Sequence, residues 1–221
     1  MVELVVNNMK SALLDMDGIV VDSMKHHAEV WQHVLHAYGL DVELLDIYIR
    51  EGMSGVESVK DIYKEKGIEI PDEEVFSEML LQKHSLFEDR KIFLFPVAID
   101  IIKFLKSKNI KIGLVTGSMK RTITHLIPND ILSYFDITVA DEDVKKGKPD
   151  PEPYKAGLKK IGGTNGDTLV IENAPLGIKS AKSAGLVCFA VKTTLGDEYL
   201  SEADKIFQDH TALLKFFKEK L

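Results

Sequence analysis

Five short apolar runs, at 11–15, 111–115, 137–139, 168–171 and 187–191, constrain the fold most strongly, because four of them are almost unbroken by polar residues. A strand with one face in water alternates apolar and polar side chains, whereas a strand covered by helices on both faces reads as a continuous apolar run. Amphipathic helical patterns fall between the later runs, at 97–108, 119–127, 152–161 and 174–184. A last pattern at 211–221 carries Leu213, Leu214, Phe216 and Phe217 as its apolar stripe. Strands alternating with helices of this length predict βαβ units and an α/β fold with a doubly wound parallel sheet.

The interval after the first run is different. Roughly 95 residues separate it from the second run, far more than one crossover helix needs. The interval is helical by pattern at 24–38, 44–50, 56–66 and 72–88, and Gly39, Gly52, Gly55 and Gly67 punctuate it, with Pro71 near the start of the last helix. An all-helical domain over 23–94 is therefore expected as an insertion into a core formed by 1–22 and 95–221. With 221 residues the chain is long enough for such a core and its insertion.

Composition excludes several functions. Hydrophobic residues make up 45% and charged residues 29% of the chain, as in ordinary soluble globular proteins. A net charge of −7 argues against a nucleic-acid partner, which would require a basic face. The single cysteine, Cys188, rules out an intrachain disulfide framework, fits a reducing compartment and sits in an apolar run as an inert core residue. Residues 1–10 lack the features of a signal peptide, and no stretch approaches the ~20 apolar residues that span a bilayer. A cytoplasmic monomer with no membrane partner is expected.

Ligands of open α/β sheets bind at the carboxyl ends of the strands, so those ends locate the chemistry. The first run ends in Asp15-Met16-Asp17-Gly18. On a strand, residues i and i+2 share a face, which would bring Asp15 and Asp17 together. Mutual repulsion then keeps one acid ionised and pushes the other toward its protonated form, which suits a carboxylate nucleophile beside a general acid. Gly18 allows a sharp turn or a close ligand approach. The same string opens a calcium-binding EF-hand loop, but the twelfth position is His26 rather than Glu.

The second run ends in Thr116-Gly117-Ser118 before a helix, which reads either as an anion site or as a helix cap by Ser118. After the third, Pro149, Pro151 and Pro153 stiffen the segment around Lys148, a candidate to neutralise phosphate or carboxylate, while Lys145 and Lys146 read as solvated. The fourth ends in Glu172-Asn173, which could complete a Mg²⁺ site with Asp15 or simply cap a turn. His26, His27, His33 and His36 on the first inserted helix read as a solvated face rather than a metal site. Trp31 reads as packing, and Met53, Met79 and Met119 read as gap-filling core residues.

In their order and placement these residues resemble the haloacid dehalogenase superfamily, most closely its β-phosphoglucomutase and sugar-phosphatase branch, over essentially the whole chain. The resemblance implies a Rossmann-like core with a helical cap, and Mg²⁺-dependent phosphoryl transfer through an aspartyl-phosphate. It points to Asp15 as nucleophile and to Asp17 as acid/base, with Thr116 and Lys148 as partners of the phosphoryl group. Asp15, the Asp17 backbone carbonyl, Glu172 and Asn173 would hold Mg²⁺. Gly18, Gly117 and Ser118 would border the substrate, and His27 matches a family histidine that helps organise the general acid.

Two departures stand out. The position of Asn173 is usually aspartate, so the site lacks one negative charge. In the mutases an arginine follows a Gly-x-Ser stretch and grips a distal phosphate, whereas Gly52-Met53-Ser54 is followed here by Gly55, with Arg50 nearby. A phosphatase acting on a small phosphorylated metabolite, a sugar or polyol phosphate, is expected. β-Phosphoglucomutase and a non-catalytic phosphate-binding protein are the alternatives. A dehalogenase is disfavoured, because that branch lacks the second aspartate.

Overall fold

The computed structural model describes residues 2–88 and 90–221. Six parallel strands form one sheet: β1 (Ser11–Leu14), β2 (Lys111–Val115), β3 (Ile137–Val139), β4 (Thr168–Glu172), β5 (Val187–Val191) and β6 (Lys205–Phe207). Their spatial order is β3-β2-β1-β4-β5-β6, so the chain winds outward from β1 on one side and then returns to build the other. Strand order reverses between β1 and β4, and the crevice at their carboxyl ends is where ligands of such sheets bind.

The continuous apolar runs are explained by burial on two faces. Leu14, Ile112, Leu114, Ile171 and Phe189 point to one layer, packed by helices Val2–Asn7, Pro96–Ser107, Lys120–Leu126 and His210–Lys220. Their neighbours Leu13, Val115, Val170 and Cys188 point to the other, packed by Glu152–Ile161 and Pro175–Ser183. Burying such a side chain contributes about 1.5–3 kcal/mol. The expected five strands are present. β6 is an addition, as are the short helices Val2–Asn7 and Asn129–Leu132.

Between β1 and β2 lie helices Met24–Ala37, Leu44–Tyr48, Gly55–Glu65 and Glu73–Glu88, each within two residues of expectation. They enclose a separate apolar cluster that includes Trp31, Leu35, Ile62 and Met79. The chain enters and leaves this insertion through a paired ribbon. Asp22 N donates to Phe93 O (2.8 Å), Phe95 N donates to Val20 O (3.0 Å), and Val21 bridges Leu94 antiparallel.

Candidate active site

The two aspartates meet, but not by strand alternation. β1 ends at Leu14, so Asp15 is the first residue beyond it, still tied to the sheet by its N–H to Ile171 O (3.0 Å). A tight turn then reverses the chain. Met16 O accepts from Val20 N and Val21 N, and Gly18 N donates to Val21 O. The turn, rather than the two-residue period of a strand, brings Asp17 to the same crevice. Gly18 has φ +80°, and a Cβ there would overlap the Asn173 amide. Both conditions demand glycine.

Lys148 connects the strand ends. It is 2% exposed, and its Nζ donates to Asp15 Oδ1 (2.6 Å), Glu172 Oε1 (2.6 Å) and Val115 O (3.2 Å). Glu172 is wholly buried and fully engaged, since Tyr154 OH donates to Oε1 (2.7 Å) while Asn173 N and Ala174 N donate to Oε2. Its carboxylate therefore orients Lys148. All four of its lone pairs are engaged by donors of the protein.

Ser118 does not cap the following helix, whose N-cap is Met119. Its hydroxyl donates instead to Asp17 Oδ2 (3.0 Å), while Ser23 Oγ (2.5 Å) and His27 Nε2 (3.2 Å) bind Asp17 Oδ1. His27 faces inward and stacks on Phe87 with ring centres 4.0 Å apart. His33 and His36 are solvated, as expected. Asn173 does not cap a helix either, since that position is Ala174.

Thr116 is buried, and its Oγ1 accepts from Ser118 N (3.0 Å), which leaves its O–H free to donate into the cleft. Gly117 lies beneath the inserted loop, close to Gly52 O. Replacing Thr116 with Ala is expected to lower kcat roughly a hundredfold, as loss of one donor to a developing oxyanion does. Thr116→Ser should retain most of the activity. Steady-state kinetics on both variants checks this.

The expected splitting of the two carboxyl groups is present, but in the opposite sense. Burial pushes Asp15 up to about 8, with Glu172 and Asp17 adding to the effect and Lys148 opposing it. Burial also acts on Asp17, but hydrogen bonds from His27, Ser23 and Ser118 outweigh it and hold that group at about 2. Burial disfavours the Lys148 ammonium, yet the charges of Asp15 and Glu172 overcome this and keep it protonated. Ligand charge would reverse the order, because a cation at Asp15 favours its carboxylate and an anion near Asp17 favours its acid.

Two cleft residues carry no motif and were not singled out. Glu51, in the loop after helix Leu44–Tyr48, lines the cleft and is raised well above the ordinary carboxylate range by burial and by Asp17 and Asp15. Lys83 is 9% exposed, also lines the cleft, and is lowered to about 8 by burial. Its place in the buried stripe Phe76, Met79, Lys83, Phe87 was the available signal, since a lysine there cannot be a solvated one. Arg50 borders the cleft, but its guanidinium is engaged within the insertion. Nε donates to Asp61 Oδ2 (2.8 Å), Nη1 to Asp46 O (2.7 Å), and Nη2 pairs with Glu65. The cleft of about 300 Å³ also takes in Met53 and Met119, whereas Met79 belongs to the inserted core as expected. Cys188 is buried in β5, and burial pushes its thiol well up, as an inert residue requires.

The donor set suits a hard divalent cation. Five acidic residues, Asp15, Asp17, Glu51, Asp141 and Glu172, line the cleft with Lys83 and Lys148, and oxygen ligands are what such ions take. Asn173 is wholly buried, and its Oδ1 has no hydrogen-bond partner among the described residues. Among those residues no three His, Cys, Asp or Glu side chains stand together as a ready-made cluster. An ion here would thus draw on amide and main-chain oxygens as well as carboxylates.

Fold and site together define an α/β enzyme built around an aspartate pair at the switch point of a parallel sheet. Comparison with known proteins narrows the class. The family profile described as haloacid dehalogenase-like hydrolase matches residues 12–191. A phosphorylated carbohydrates phosphatase of Thermotoga maritima is 30% identical over 80% of this chain and 82% of its own length. Hexitol phosphatase A of Escherichia coli is 28% identical over 89% of each. Among solved structures, a hydrolase from Pseudomonas syringae superposes with a TM-score of 0.85 at 26% identity, covering 96% of this chain and 99% of its own. The chain belongs to the haloacid dehalogenase-like hydrolases, and within them it is a phosphoric monoester hydrolase.

Proposed function

We propose that the protein is a Mg²⁺-dependent phosphatase of a small sugar or polyol phosphate, working through an aspartyl-phosphate on Asp15. The observation that carries this reading is the meeting of Asp15 and Asp17 with Thr116 and Lys148 at one crevice beneath the helical insertion. The names of the two curated relatives support the substrate class.

The Asp15 carboxylate attacks phosphorus as the bond from phosphorus to the leaving oxygen breaks. Asp17, protonated once the substrate's anion is beside it, gives its proton to that oxygen. The resulting Asp17 carboxylate then takes a proton from water. The water oxygen attacks the same phosphorus, the bond to Asp15 breaks, and phosphate leaves with the carboxylate restored. Ser23, His27 and Ser118 hold Asp17 in place throughout. Thr116 and Lys148 donate to the phosphoryl oxygens and offset their charge. Asp15, the main-chain carbonyl of Asp17 and Asn173 Oδ1 would hold Mg²⁺, which supplies further charge neutralisation when bound. The insertion covers the crevice and restricts water.

Hydrolysis is favoured over mutase activity because Arg50 is tied to Asp61 and Glu65 within the insertion and cannot grip a second phosphate. Phosphate release across a panel of hexose and polyol phosphates tests the reading. Turnover that stops on removal of divalent ions and returns with Mg²⁺ is expected. Interconversion of glucose 1-phosphate and glucose 6-phosphate with a bisphosphate primer, at rates above hydrolysis, would refute it.

A further inference from the structure

The cleft holds an acid that the mechanism does not use. Glu51 belongs to the insertion, yet its carboxylate lines the same cleft as Asp15, Asp17 and Glu172. Among the described residues no lysine, arginine or histidine bonds to it. Among those residues its carboxylate has one hydrogen-bond partner, Asn173, whose Nδ2 donates to Oε2 at 3.4 Å. Glu51 stands in a loop and is only partly exposed, and its side chain lies on the cleft side of that loop. An acid turned toward other acids is a feature that a bound cation explains and packing does not.

Asn173 meets it from the other side. The residue is wholly buried beside Glu172, and its Oδ1 is left without a partner. An aspartate at 173 would set a carboxylate directly against that of Glu51, and the two could not both stay ionised at this distance. The amide and the glutamate therefore fit as a pair: neutral where the sheet offers a ligand, negative where the insertion reaches it.

We propose that Glu51 supplies, from the insertion, the carboxylate that the loop after β4 lacks at Asn173, so that a divalent cation is held fully only when the insertion is closed on the sheet. This rests on the reading of the crevice as a metal-assisted phosphatase site. The charge of the site is preserved, but one of its bearers now sits on the other side of the crevice. Cation affinity then depends on the closed fraction, because an ion binding one state binds overall in proportion to that state's population. Reciprocally, the ion favours closure.

The test uses the full chain and Mn²⁺, with free ion followed by its electron paramagnetic resonance signal. Glu51→Gln keeps an acceptor for Asn173 Nδ2 and removes only the charge, so it separates a metal ligand from a simple hydrogen-bonded latch. It should weaken Mn²⁺ binding by about ten- to a hundredfold. The double variant Glu51→Gln with Asn173→Asp should recover affinity to within about threefold of the wild type, on the same scale of ligand effects. Amide hydrogen exchange supplies the second readout. Mn²⁺ should protect residues 50–54 in the wild type but not in the double variant, although both bind the ion. Glu51→Gln protein that binds Mn²⁺ as tightly as the wild type would overturn the proposal and leave the phosphatase reading intact. Wild-type protein that takes up no Mn²⁺ at millimolar concentration would overturn both.

Discussion

Asp15→Asn is expected to abolish phosphate release, lowering kcat by roughly four orders of magnitude or more, as loss of a nucleophile does. The amide has the size of the carboxyl group and can still accept from Lys148 Nζ, but it cannot attack phosphorus. The variant should be folded, and its stability gives an independent signature. The Asp15 carboxyl is raised from 3.8 to about 8 in the folded chain. A group raised in this way contributes stability below its unfolded value and loses it as pH rises toward the folded one. Wild-type stability should therefore decline between about pH 4 and pH 8 relative to Asp15→Asn, which removes this titration. Phosphate assays and thermal unfolding across that range measure the two effects. Activity within tenfold of the wild type would sink the assignment of Asp15.

The second large effect concerns Lys148. Its ammonium lies between Asp15 and Glu172 with almost no access to solvent. Lys148→Met removes the cation and leaves the wholly buried Glu172 carboxylate without compensation, with Asp15 held still more firmly in its neutral form. Breaking a buried ion pair from one side costs about 3–5 kcal/mol, and a loss of that size should appear as a lower urea midpoint. Adding Glu172→Gln removes that stranded charge and should recover part of the stability while activity stays lost. A stability loss below about 1 kcal/mol, the range of exposed pairs, would mean that water reaches these carboxylates and that the crevice is not sealed as described.

Much of this arrangement is legible in the sequence, and the exceptions have physical causes. Unbroken apolar runs mark strands buried on two faces, so β1, β2, β4 and β5 stood out. β6 did not, because a three-residue edge strand with an exposed lysine at its start carries too little apolar sequence to register. The insertion was visible as helical periodicity where a crossover should have been. Asp15, Asp17 and Thr116 could be named because they follow strand ends, where position along the sheet converts to position in space, and Lys148 because prolines stiffen the loop that carries it. Glu51 could not, because what brings it to the cleft is the folding of the insertion and no local pattern encodes that, whereas Lys83 stood in an apolar helical stripe that carried a signal of its own. The turn at Gly18 was foreseen from the glycine, but the end of β1 at Leu14 was not, since propensity places strand ends only to within a residue or two.

The paired ribbon at Val20–Val21 and Leu94–Phe95 bears on how the molecule assembles. β1 must find β2 across a span of about a hundred residues, and the entropy of closing a loop grows with its length. If the inserted helices collapse early on their own apolar cluster, the ribbon brings the two ends of that span together beforehand. The sheet then closes a loop of roughly twenty residues instead of a hundred, which lowers the closure cost by about 1.4 kcal/mol. The piece that covers the crevice in the finished enzyme would thus shorten the search by which the central strands first meet.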